Sequence, residues 1–216
     1  MPTFICKTWK DSTDARGQLR ESVAARNHQS AVPLKFVTFN GLTFDLPTLE
    51  THQRIDRQPV FGFDLHPYSS KNVIDLYRLL TNNEDCGKHV MRRALPDLAR
   101  ALGVDTPADD ITGEQVGEYI AKGDYETVAR HCEADVIATR DLYLLTPRPF
   151  RAVVLDIETV AKDGLDRSRV KYDKRLKDRE AAIDTALAGA ALDPWASRIV
   201  VLSYLFVDGS LSEERF

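Results

Sequence analysis

An α/β fold is predicted for this chain, and two observations carry the prediction. Three short apolar runs have the length and turn punctuation of buried strands: "PLKFVTFN" (33–40), "AVVLDIE" (152–158) and "RIVVLSYLFVDG" (198–209). Around them, apolar residues recur at helical spacing over about 15–29, 47–55, 72–82, 91–102, 113–122, 125–145 and 172–190. In chain order, the first strand closes at the turn Asn40-Gly41, and Asp45 before Pro47 reads as the cap of the next helix. The long pattern from Tyr125 is stopped by "TPRPF" (146–150), whose two prolines favour an extended exit into the second strand. Asp208-Gly209 closes the third strand.

Composition excludes several classes. A chain of 216 residues, 43% hydrophobic and 29% charged, has the balance of a compact globular domain rather than of a disordered or fibrous protein. The longest apolar run, Ile199 to Val207, is about half the roughly 20 residues of a membrane helix. The start "MPTFICKTWK" has no signal-peptide core, so a cytoplasmic protein with no membrane partner is expected. Three cysteines, Cys6, Cys86 and Cys132, fit reduced thiols better than a disulfide framework. Cys86 and His89 have the spacing of half a zinc site, but no second pair matches, which favours ordinary loop residues. A net charge of −4 gives no global basic field. An enzyme that meets phosphates through carboxylate-bound ions does not need one. The segment 167–180, "RSRVKYDKRLKDRE", is read either as a solvated helix face held by ion pairs or as a phosphate-contacting flap.

Three groups of acids carry chemical information. Asp156 and Glu158 lie two apart on an apolar strand and so project from one face. Two carboxylates at the edge of a core repel each other and resist burial unless a cation sits between them. In "FNGLTFDLP", Asn40 and Asp45 fit an Asn-Gly turn and a helix cap, which is sufficient local chemistry by itself. In "YETVARHCEADVIATRDLY", His131 and Asp135 are four apart on a helix face that also carries Val128, Ala138, Thr139 and Leu142. Alone, that pair is read equally well as a structural hydrogen bond.

Taken together, "LDIET", "FNGLTFD" and "HCEAD" resemble the three motifs of the DEDD 3′-to-5′ exonucleases. The resemblance is closest to bacterial predicted exonucleases related to the proofreading domain of family-B DNA polymerases. It extends through "NVIDLYRLL", "ALPDLARALGV", "TGEQVGEYIAKGDYETVARHCEADVIATRDLYL" and "DPWASRIVVLSY". It implies an RNase H-like fold, a mixed sheet flanked by helices. It also implies one exonuclease domain over 1–216, with the second and third motifs in 1–145 and the first motif and following strands in 151–216.

The resemblance assigns Asp156, Glu158, Asp45 and Asp135 as ligands of two Mg²⁺ or Mn²⁺ ions, and hard divalent cations prefer such oxygen donors. It places Asn40, Phe44 and Thr159 at the terminal nucleotide, with Phe44 able to stack on the last base. His131 occupies the position, four before Asp135, where that group carries Tyr. As a catalytic residue it would orient or deprotonate the attacking water. The first motif also comes after the other two, the order of a circular permutation. About ten helical residues from Asp135 to Leu145 and five strand steps from Arg151 to Asp156 span similar lengths, roughly 15 and 17 Å, so one chain can close the site. The expected partner is a nucleic acid 3′ end, single-stranded DNA foremost. The alternatives are an exoribonuclease on short RNA and a binding module without activity.

Overall fold

The computed structural model describes residues 1–66, 71–81, 94–106, 111–146, 151–165, 171, 178–193 and 196–207. The strands are β1 (Thr3–Ile5), β2 (Lys35–Thr38), β3 (Val73–Asp75), β4 (Ala152–Ala161) and β5 (Ser197–Val207). The helices are α1 (Trp9–His28), α2 (Asp45–Ile55), α3 (Leu76–Leu80), α4 (Leu95–Ala101), α5 (Val116–Ala121), α6 (Tyr125–Leu144) and α7 (Arg179–Ala188). Two 3₁₀ turns, Gly113–Gln115 and Gly189–Leu192, precede α5 and follow α7. The chain is α/β, with one mixed five-stranded sheet in the order β1-β5-β4-β2-β3 flanked by helices.

β2 pairs parallel with β3 and β4, whereas β5 runs antiparallel to β4 and β1. Strand alternation divides the core into two faces. Phe36, Val153, Leu155 and Ile157 pack under Ala15, Leu19 and Val23 of α1 and Leu46 and Leu49 of α2. Val37, Ala152 and Val154 point the other way, onto Val136, Leu142 and Tyr143 of α6 and Leu95 of α4. Further along α6, Val128 and Cys132 pack on Val200 and Val201. Asp156 and Glu158 continue the row of Ala152 and Val154, so they face α6.

Local chemistry fixes the elements that carry the site. A capping box between Thr8 and Asp11 starts α1 six residues before the predicted boundary. Asp56, at the end of α2, accepts from Trp9 Nε1 at 2.6 Å, from Thr13 Oγ1 at 2.7 Å and from the buried Arg16 guanidinium, which pins α2 to α1. Asp124 caps α6 by accepting the Thr127 N–H at 3.1 Å.

Two expectations need correction. The predicted helix over 72–82 is a short strand, β3, joined directly to the five-residue helix α3, because Val73 and Ile74 suit a strand and Asp75 caps α3. The sheet also gains β1, three residues too short for a periodicity to register. Cys86, His89, most of 167–180 and residues 147–150 of the proline joint lie outside the described residues.

Candidate active site

The charges of Asp45 on α2, Asp135 on α6, and Asp156 and Glu158 on β4 reach one another, and His131 of α6 stands beside Glu158. Asp156 is influenced by the charges of Glu158, Asp135 and Asp45, and Asp45 by those of Asp75 and Asp135. His131 Nε2 lies 3.4 Å from Glu158 Oε1, with both side chains largely buried. Cys132 tethers the helix to the strand by donating from Sγ to the Asp156 carbonyl at 3.5 Å. Only its place in "HCEAD" hinted at this contact.

Burial, followed by the charges of Glu158, Asp135 and Asp45, pushes the Asp156 carboxyl well above its ordinary range. Burial, with Asp75 and Asp135, raises Asp45 to about 7. Asp156 Oδ2 is enclosed and has no hydrogen-bond partner. An enclosed carboxylate oxygen without a donor, beside three other acids, has the chemistry that a divalent cation satisfies. Asp156, Glu158, Asp45 and Asp135 are the oxygen donors that could hold such an ion. Among the described residues no three His, Cys, Asp or Glu side chains are drawn together closely enough to hold an ion as they stand.

These two shifts set a pH dependence. A carboxyl whose folded value is raised from 3.8 stabilises the fold fully below that pH and loses the contribution as pH rises to about 7 for Asp45. Metal-free Asp45→Asn is expected to melt higher than the parent at pH 8, with the gap closing toward pH 4. Thermal melts across that range check this, and a gap independent of pH would contradict it.

The second motif is built around a left-handed turn. Asn40 has φ 62°, and the Gly41 carbonyl accepts the Leu46 N–H at 3.0 Å, docking the first turn of α2. Asp45 is the first residue of that helix and not its cap. Phe44 holds the cap position, with no side-chain hydrogen bond, so the capping role expected for Asp45 is not what the structure shows. A Cβ on Gly41 would stand 2.5 Å from Thr38 Cβ and 2.7 Å from Asp45 Oδ2. Gly41→Ala is therefore expected to destabilise by about 1–3 kcal/mol and to displace the Asp45 carboxylate. A melt and an activity assay on the same sample test it.

Asn40 and Phe44 are half-buried on the turn and the helix cap. Thr159 is buried, and its hydroxyl donates to the Ala191 carbonyl at 2.6 Å, which ties β4 to the 3₁₀ turn after α7. Opposite the Glu158/Thr159 step the β4–β5 register shifts: Glu158 pairs with Val201 and Thr159 with Ile199. The skipped Val200 gives its carbonyl to the Cys6 N–H at 2.8 Å. A cavity of about 540 Å³ lined by Ser22, Arg26, Tyr204 and Phe206 contains none of the acids.

The family model of the RNase H superfamily matches residues 4–146, about two thirds of the chain. The chain belongs to the RNase H superfamily. The matched residues include Asp45, His131 and Asp135, and the match ends before β4, which carries Asp156 and Glu158. The superfamily points to nuclease chemistry on nucleic acid, generally with divalent metals. No curated protein and no solved structure matches the chain. Among the described residues no helix is long and apolar enough to cross a membrane.

Proposed function

We propose that this RNase H-superfamily chain is a metal-dependent 3′-to-5′ exonuclease that releases nucleoside monophosphates from single-stranded DNA. The observation that carries the reading is the mutual charge interaction of Asp45, Asp135, Asp156 and Glu158 around an enclosed, unpartnered Asp156 oxygen. A pair of Mg²⁺ or Mn²⁺ ions at such a site supplies a nucleophilic water and charge stabilisation at the leaving oxygen. The protein's part is to hold the acids on three separate elements and to keep His131 beside Glu158, where its imidazole can orient the water or take its proton. Phe44 offers a face to the terminal base, and a stacked ring tolerates any base.

In this proposal residues 1–216 form one domain with its motifs in permuted order. Two features support it. β4 comes after α6 in sequence yet lies at the sheet centre between β5 and β2. β1 lies antiparallel to β5, with Thr3 opposite Ser203 and the Tyr204 N–H reaching the Pro2 carbonyl at 3.2 Å, so the start of the chain runs beside β5. A permuted order also calls for Phe216 to adjoin Met1, and Phe216 lies outside the described residues.

A 5′-labelled single-stranded oligonucleotide, incubated with Mn²⁺, should yield a ladder shortening from the 3′ end, blocked by EDTA and by a 3′-terminal phosphorothioate. Cleavage in excess EDTA, or internal cuts ahead of end shortening, would overturn the proposal. An RNA oligonucleotide of the same sequence tests the ribonuclease alternative, and binding without cleavage of either substrate would identify a module that has lost activity.

A further inference from the structure

We infer that Asp75 is a positioning residue that holds the Asn40-Gly41-Leu42 turn and, through it, the Asp45 carboxylate in place. The inference rests on the reading of the four acids as an ion site. Asp75 ends β3 and is buried. Its Oδ1 accepts the Asn40 N–H at 3.0 Å and the Arg78 N–H at 3.4 Å, and its Oδ2 accepts the Leu42 N–H at 3.1 Å. One carboxylate thus bridges both sides of Gly41 while capping α3. The turn it spans needs Asn40 in the left-handed region, at φ 62°, which Asn adopts more readily than other non-glycine residues but which the Asp75 hydrogen bonds on either side of Gly41 help to hold.

The link to Asp45 is mechanical and short. Gly41 packs so closely that a single added carbon would meet Thr38 and the Asp45 carboxylate at once, so a shift of the turn is a shift of that carboxylate. The Gly41 carbonyl also receives the Leu46 N–H, which fixes the helix end from which Asp45 projects. Both Asp75 oxygens are committed to backbone donors, which suits a residue acting through Asp45 rather than holding an ion itself.

Asp75→Asn keeps size and shape but turns one acceptor into a donor facing a backbone N–H. The test compares Mn²⁺ titrations, monitored by electron paramagnetic resonance of the free ion, for the parent, Asp75→Asn and Asp75→Ala. Asp64→Asn is the control, since Asp64 also accepts two loop N–H groups, from His66 and Lys71, in a different loop. Expected is a rise of about 10–100-fold in the Mn²⁺ dissociation constant for the Asp75 variants. A comparable fall in kcat should accompany it, with KM for the oligonucleotide held and no change in the control. Affinity and kcat within twofold of the parent in a folded Asp75→Asn overturn the inference. So does a raised KM with kcat intact, or failure of both variants to fold, which would leave Asp75 a residue of the fold alone. Because the Mn²⁺ measurement needs no cleavage, it stays decisive even if the nuclease reading fails.

Discussion

Asp156→Asn is expected to lose about 10²–10³-fold in cleavage rate, the scale set by removing a group that stabilises charge at a reacting centre. The same variant should melt higher than the parent at neutral pH without metal. Asp156 is raised by burial first and by Glu158, Asp135 and Asp45 after it, so its ionised form opposes folding. That opposition is absent at low pH and grows as pH rises, which places the stability gain of the amide at neutral and higher pH. Loss of activity with gained stability is the signature of a residue kept for chemistry. Full cleavage by Asp156→Asn would remove β4 from the active site and the proposal with it.

His131→Ala should lose about 10²–10⁴-fold in rate, the usual contribution of a positioned acid or base. The side chain is only 8% exposed and faces Glu158 at 3.4 Å, so its removal also leaves a void and one acid without that neighbour. A melt on the same protein separates the two effects: a catalytic role costs rate beyond what the folded fraction explains. His131→Tyr restores the residue found at this position in the resembling exonucleases, and some activity is expected to return. An unchanged rate in a folded His131→Ala would make the imidazole a structural partner of Glu158.

Those parts of the fold and site that depend on local pattern were legible in the sequence. Asp156 and Glu158 were readable because a strand puts alternate residues on one face, and the row Ala152, Val154, Asp156, Glu158 keeps that rule. Helical spacing put Asp135 and His131 on one face of α6, but left a structural hydrogen bond as an equal reading until the other motifs were set beside it. Asp45 was ambiguous, since an acid before a proline looks like a helix cap, and only the packed turn shows Phe44 in that place. Asp75 was missed because its partners, Asn40 and Leu42, lie 35 and 33 residues away, and no periodicity spans that gap. Its visible trace was an Asp after Val73-Ile74 and before Leu76, a strand end meeting a helix start. The tight approach at Gly41 and the shifted register at Val200 are properties of packing, legible only in three dimensions.

The strand order has a consequence for the newborn chain. β1 is synthesised first of the five strands, yet its sheet partner is β5, the last of them, and β2 waits for β4 on one side. Residues 1–146 carry α1 to α6 but not the central strand β4, so within them Asp45 and Asp135 stand without Asp156 and Glu158. Most strand contacts are therefore long-range and form late, which predicts slow folding for a chain of this size. Asp45 and Asp135 therefore wait for β4 before Asp156 and Glu158 join them, and the sheet closes only later still, when β5 arrives to pair with β4 and β1.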